Sequence, residues 1–400
     1  MSRPLAGIRV LDLTNVLAGP FACCQLAMMG AEVIKVEVPG TGDLARQLGA
    51  DPALNRRLMG ASFLAQNAGK RSITVNLKSP AGRALFLRLV ATADAVVESF
   101  RPGVMDRLGL GYDELCRVRP DIVYCAISGF GMDGPLRDNP AYDQIIQGLS
   151  GVMSVTGTPG TAPLRVGYPV SDTMGGITAA FAVAAALVQK ERTGKGERID
   201  VSMLEATLVA MGWAVSNWLI AGLEPAPMGN ENMTSAPSGT FQTGKGLLNI
   251  AANKQEQFEA LARLVSRPDL IDDPRFAGRE ERKRHRFALR DELEQALSAR
   301  SAAEWAPILN ARGIPAGEVL SVPEILEHPQ VVERGLVRRF ADAPGVGRDI
   351  AVVRAGFRLG EEDPVPDGPP PVLGADNTAI LAELGYDAAG VEELRREKAI

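Results

Sequence analysis

The fold turns on residues 8–37, IRVLDLTNVLAGPFACCQLAMMGAEVIKVE. IRVLDL (8–13) is apolar and β-branched, the composition of a strand. PFACCQLAMMG (20–30) opens on a proline and closes on a glycine, the usual punctuation of a helix. AEVIKVE (31–37) reads as a second strand. Strand, helix and strand in one short run make a βαβ unit, and such units pair their strands in parallel.

The alternation continues outward from this stretch. RSITVNL (71–77), ADAVVESF (93–100) and DIVYCAISGFG (121–131) read as further strands. Ser79 and Pro80 open a helix that runs through Val90, with serine as the cap and proline in the first turn. VMDRLGL and YDELCRV are short helices between strands. The fold class is α/β, with a mainly parallel sheet. Ligands on such sheets sit beyond the C-terminal ends of the strands. Here those ends are TNVLAGP, EVPGTGD, ESFRPG and SGFGMDGP.

Beyond residue 190 the pattern shifts. TGKGERIDVSMLEATLVAMGWAVSNWLIAG reads as a strand followed by one long helix. Residues 224–239 lack periodicity and read as a linker or functional loop. Residues 240–330 suggest a smaller α+β unit, with a hairpin in TFQTGKGLLNIAA and amphipathic helices after it. RDIAVVRAGFRL (348–359) returns to strand character.

Bulk properties exclude several classes. The 400 residues are 46% hydrophobic and 23% charged, with a net charge of −5, which is average for a soluble globular protein. No basic run suggests nucleic acid or an anionic membrane as partner. The N-terminus lacks a signal-peptide layout. The apolar run Ile177–Val188 has about a dozen residues, too short to span a bilayer. Four cysteines without CxxC spacing suggest reduced thiols in a cytoplasm. Two histidines, His285 and His328, leave little room for histidine-based chemistry or zinc, and no metal site is expected.

The motif search narrows to one acid. GTGD (40–43) is a poor dinucleotide fingerprint, because the first strand is followed by TNVLAGP rather than by GxGxxG. Neither GxxxxGK[ST] nor GxSxG occurs. In RVGYPVSDTMGGITAAFAVAAALV (165–188), Asp172 stands at the head of a small-residue, apolar run. One reading makes it the N-cap of an alanine-rich helix. The other makes it an oriented, desolvated nucleophile toward an activated acyl group, with Gly175 and Gly176 letting a bulky ligand approach. The two readings are compatible.

The opening PLAGIRVLDLTNVLAGPFACCQLAMMGAEVIKVEVPGTGD resembles family III coenzyme A transferases, the group that includes formyl-CoA transferase and the CaiB/BaiF proteins. GKRSITVNLKSPAGR, ADAVVESFRPGVMDRLGLGYDEL, PAYDQIIQGLSGVMSVTG, RTGKGERIDVSMLEATL and GIPAGEVLSVPEILEHPQVVERGLV extend the resemblance in order along nearly the whole chain.

The resemblance implies that Asp172 attacks an acyl-CoA thioester, giving an aspartyl mixed anhydride and CoA thiolate. The thiolate then attacks the anhydride and leaves an aspartyl-CoA thioester, which an acceptor acid takes over. The nucleophile would already be an anion at neutral pH, with no histidine needed. CoA thioesters are substrates on this scheme and no cofactor is permanently bound. The implied CoA contacts are Val16, Leu17 and Ala18 after the first strand, Val75 and Lys78, Ser99 and Phe100, Arg107 near the phosphates, and Tyr142.

Leu17 stands where formyl-CoA transferase has a glutamine, which counts against formyl-CoA and oxalate as substrates. Tyr142 stands where the family's α-methylacyl-CoA racemases have a catalytic histidine, which counts against two-base proton transfer. A CoA-binding homologue without catalysis, its Asp172 only a cap, is the remaining alternative. Arg165 could meet an acceptor's distal carboxylate or serve as a surface ion-pair partner. The resemblance further implies a ring-shaped chain in an interlocked homodimer. Its large Rossmann-like domain would take residues 1–200 and, after a return linker, the rest of 331–400, with a linker helix and loop over 201–239 and a small α+β domain over 240–330.

Overall fold

The computed structural model describes residues 3–360 and 363–400. Met1 and Ser2, which open the stretch read as lacking a signal-peptide layout, lie outside the described residues. Six strands form the main sheet: β1 (Arg9–Leu13), β2 (Glu32–Glu37), β3 (Arg71–Thr74), β4 (Ala95–Glu98), β5 (Val123–Ser128) and β6 (Arg198–Ser202). Their order is β3-β2-β1-β4-β5-β6 and every pairing is parallel. This is the doubly wound order, which reverses direction between β1 and β4.

Alternation along the strands feeds two cores. Leu11, Leu13, Ile34, Ile73 and Val96 pack on one face with Leu85, Phe86 and Leu89 of helix Pro80–Val90 and with Ile380 and Leu381. Val10, Val33, Val97, Val123 and Cys125 pack on the other with Cys23 and Leu26 of helix Ala18–Met28 and with Ala179, Val183 and Leu187. A strand buried on both faces reads as a nearly continuous apolar run, which is why the sequence pattern is strong.

Two compact units emerge. One takes the chain up to Val152, with Arg165–Leu223 and Val332–Ile400; the other takes Met153–Leu164 and Glu224–Val331. The second unit holds an antiparallel sheet of β7 (Ser238–Gln242), β8 (Leu247–Ala251) and β9 (Ala316–Glu318). Phe241, Leu248, Phe258, Leu293 and Trp305 lie in its core. The hairpin expected in TFQTGKGLLNIAA is the β7–β8 pair. The strand expected near 348–359 is β11 (Ile350–Val353), which among the described residues pairs with β10 (Val337–Phe340) in a two-stranded sheet apart from the main one.

Three local expectations need correction. The long helix after β6 is two helices, Met203–Ala210 and Trp213–Ala221, bent by 79°. Gly212 sits between them at φ +41°, a conformation that favours glycine and ends the first helix. The apolar run at 177–188 belongs to a 24-residue helix, Val170–Thr193. By length and composition that helix could cross a membrane, yet Ala179, Ala180, Val183 and Leu187 pack it against the sheet.

Third, Gly175 and Gly176 are buried and face protein, not a ligand space. A Cβ on Gly176 would lie 2.5 Å from Ala18 O, and one on Gly175 would lie 2.9 Å from Met203 Cγ. These glycines let three helices meet. Gly176→Ala is therefore expected to destabilise the chain by about 1–3 kcal/mol despite alanine's higher helix propensity. Denaturant titration of the variant beside the parent checks this.

Candidate active site

The site forms beyond the C-terminal ends of β1, β4 and β5. Asp172 lies on helix Val170–Thr193, but not as its cap. Pro169 is the N-cap residue and Asp172 is the third residue of the helix. The acceptor for the first-turn amides is Asp143, 28 residues earlier than Ser171. Its Oδ1 accepts from Ser171 N–H at 2.8 Å and from Asp172 N–H at 3.4 Å. Its Oδ2 accepts from Gln147 Nε2 at 2.7 Å and lies 3.6 Å from Arg165. A second carboxylate thus caps the helix, and among the described residues none bonds the Asp172 carboxyl group.

Asp172 lines a cavity of about 400 Å³ together with Asn15, Val16, Leu17, Ala18, Ser99, Phe100, Arg101, Arg137, Tyr142 and Met203. Burial, then the neighbouring Asp143 carboxylate, push its pKa from 3.8 up to about 7. The protonated form therefore competes with the carboxylate near neutral pH, where the sequence reading expects a plain anion.

A second cavity of about 380 Å³ shares Asn15 and Phe100 with the first and is lined by Val75, Lys78, Val104 and Leu108. Eight of the nine expected CoA-contact residues therefore line one or other of two adjoining cavities. The ninth, Arg107, is exposed on the short helix Val104–Arg107 and lines neither. Arg101 and Arg137 line the Asp172 cavity and were not foreseen.

Hydrogen bonds tie the strand-end loops together. Ser99 Oγ accepts from Asn15 N–H at 3.0 Å, and Asn15 Oδ1 accepts from Leu44 N–H at 3.0 Å. Glu98, buried at the end of β4, accepts from Phe100 N–H at 2.6 Å and Tyr124 Oη at 3.0 Å. Burial drives its pKa up to about 7 against these two bonds. Helix Ala18–Met28 starts in the same loop with no side-chain cap. Its Ala18 and Gly19 amides have no acceptor among the described residues, so its N-terminus leaves donors free beside the Asp172 cavity.

The fold and this site define an α/β protein that holds one carboxyl group, Asp172, beside a two-part cleft. The family model described as CoA-transferase family III matches residues 5–377. An acetyl-CoA:oxalate CoA-transferase of Acetobacter aceti is 39% identical over 96% of this chain and 97% of its own length. A succinyl-CoA:glutarate CoA-transferase of Mus musculus is 38% identical, covering 98% of this chain and 89% of that protein. A CAIB/BAIF family protein from Brucella suis superposes with a TM-score of 0.83 at 34% identity, over 96% of this chain and 100% of that one. The chain belongs to family III of the CoA-transferases. It is an enzyme, and its substrates are CoA thioesters and carboxylic acids.

Proposed function

We propose that the enzyme moves CoA from succinyl-CoA or a similar donor to a small carboxylic or dicarboxylic acid, with Asp172 as the nucleophile. The carrying observation is that Asp172, free of capping duty, shares one cavity with Val16, Leu17, Ala18, Ser99, Phe100 and Tyr142. Asp172 attacks the donor thioester and expels CoA thiolate, forming a mixed anhydride. The thiolate returns to the aspartyl carbonyl, releasing the donor acid and leaving an aspartyl-CoA thioester. The acceptor carboxylate attacks that thioester, and the thiolate then takes the acceptor's acyl group and frees Asp172. Each step exchanges one acyl bond for another, so no permanently bound cofactor is needed.

Two features support the assignment. The half-buried setting limits water, which would hydrolyse the anhydride. The unpaired amides of Ala18 and Gly19 offer donors for negative charge developing near the nucleophile. In this reading the second cavity takes the nucleotide end of CoA, with Lys78 toward its phosphates.

The relatives named for glutarate and oxalate favour a dicarboxylic acceptor. The oxalate relative also weakens the argument from Leu17 against oxalate. No histidine lines the Asp172 cavity, which works against the racemase alternative.

A homodimer belongs to the same proposal. Ile177, Phe181, Val209, Trp213, Leu219 and Ile220 are exposed on three neighbouring helices, with Ile220 at 85%. An apolar surface of this kind marks an interaction site, and interlocked rings are what the family resemblance implies for it. All four cysteines are free and three are buried, which supports a reducing, cytoplasmic setting.

Intact-protein mass spectrometry after brief incubation with succinyl-CoA tests the chemistry. A CoA or succinyl adduct is expected, removable by hydroxylamine and mapping to the peptide that holds Asp172. A chain that binds CoA yet forms no adduct with succinyl-, acetyl- or malonyl-CoA would refute the nucleophile assignment.

A further inference from the structure

Val16 stands at φ +67°. For a β-branched residue this left-handed conformation is an outlier, and it persists only where the surroundings over-determine it. The GTGD turn, which fits no dinucleotide fingerprint, supplies the constraint. Asp43 Oδ1 accepts from Val16 N–H at 2.9 Å and from Ala45 N–H at 2.8 Å. Asp43 Oδ2 forms an ion pair with Lys35 Nζ at 2.9 Å.

The chain on either side of Val16 is pinned by the same buried charges. Lys35 donates to Thr14 O at 3.0 Å, and Asp12 Oδ1 accepts from the Thr14 amide at 2.9 Å. Lys70 reaches Asp12 Oδ2 at 2.8 Å and Pro20 O, in the helix that follows, at 2.9 Å. Asp12, Lys35, Asp43 and Lys70 are all buried. Burial works against charge on both Asp12 and Lys35. The opposite charges outweigh it, holding the Asp12 carboxyl below and the Lys35 amine above its ordinary value.

We propose that Asp43 is a positioning residue for the transfer reaction: it holds Val16 in its strained conformation and so sets Val16, Leu17 and Ala18 against CoA and Asp172. The inference rests on the transferase reading above. The path to the nucleophile is short. Val16 to Ala18 line the Asp172 cavity, and Ala18 O packs so closely on Gly176 of the Asp172 helix that a Cβ there would meet it at 2.5 Å. Asp43 itself lines the adjoining cavity. One carboxylate therefore connects the two halves of the cleft.

The test is a mutant cycle with two readouts, CoA affinity by calorimetry and the rate of Asp172 acylation by succinyl-CoA in intact-mass time courses. Asp43→Ala is expected to weaken CoA binding about tenfold and to slow acylation on the order of a hundredfold, the scale of an ångström-level misplacement. Glycine adopts positive φ without strain, so in a Val16→Gly background the same change should cost less than about threefold in both readouts. Asp43→Asn, which keeps an acceptor for the Val16 amide, should recover most of the acylation rate. If Asp43→Ala does not fold, Asp43→Asn replaces it in the cycle, with a smaller loss that must again shrink in the Val16→Gly background.

Equal losses in the parent and in the Val16→Gly background would reduce Asp43 to a general structural role and overturn the proposal. So would a folded Asp43 variant that binds and reacts like the parent. If the parent binds CoA but is not acylated, the transfer reading fails, and the affinity cycle alone decides the role of Asp43. If the parent does not bind CoA, both readings fall.

Discussion

Asp172→Asn is expected to abolish CoA transfer, with at least about a 10⁴-fold loss of activity, while leaving a chain at least as stable as the parent. The loss follows from chemistry. An amide at position 172 cannot form the anhydride, and no other acid lines the cavity.

The stability follows from linkage. The folded pKa of about 7 exceeds the ordinary 3.8. The folded chain therefore holds this proton more tightly than the unfolded chain does. The resulting stabilisation is full below about pH 4, declines as pH rises, and is gone above about pH 7. At pH 8 the parent keeps an ionised, largely desolvated carboxylate that asparagine does not carry.

Asp172→Asn should then be more stable than the parent at pH 8, by on the order of 2–4 kcal/mol. The gain should shrink toward zero near pH 4. Denaturant titrations at the two pH values measure it. A variant that loses stability equally at both pH values would indicate that Asp172 is a structural cap. Retained transfer would remove it from the mechanism.

How much of this was legible in the sequence depends on the range of each interaction. The parallel sheet was legible because strands such as VYCAIS and AVVE are apolar on both faces and sit between amphipathic helices. The helix at Pro80–Val90 was legible to the residue, since Ser79 Oγ caps Gly82 N–H within the local segment.

The cap of the Asp172 helix was not legible. Asp172 stands near the helix start, as a cap would, but Asp143 takes that place across 28 residues of chain. Gly175 and Gly176 look the same in sequence whether they admit a ligand or a neighbouring helix, and only Ala18 O and Met203 decide between the two. Asp12 within an apolar strand was a visible signal of a buried charge. Its partners, Lys35 and Lys70, come from separate elements and could not be matched by pattern. The set of expected CoA-contact residues was carried by family resemblance, because Val16, Val75 and Phe100 have no chemistry that spacing alone would single out.

Asp143→Ala is expected to slow acylation of Asp172 on the order of a hundredfold and to lower stability by about 2–3 kcal/mol. The truncation removes the acceptor for Ser171 N–H and the nearer of two acceptors for Gln147 Nε2, both in buried surroundings, and it frees the first turn that carries Asp172. Asp143→Asn separates this geometric part from the electrostatic one. Asparagine keeps an acceptor for Ser171 N–H, so most of the helix placement survives, although one donor now faces Gln147. What it removes is the like charge beside Asp172. Burial is the larger cause of the raised pKa and remains, while the Asp143 contribution disappears. The parent's acylation rate should climb about tenfold per pH unit below pH 7 and level off above it, as the ionised nucleophile accumulates. In Asp143→Asn the midpoint of that climb should move to lower pH, with a plateau far closer to the parent's than that of Asp143→Ala. A midpoint that stays in place would assign the whole shift to desolvation. A plateau as low as that of Asp143→Ala would mean that the charge of Asp143, and not its hold on the helix, is what the reaction uses.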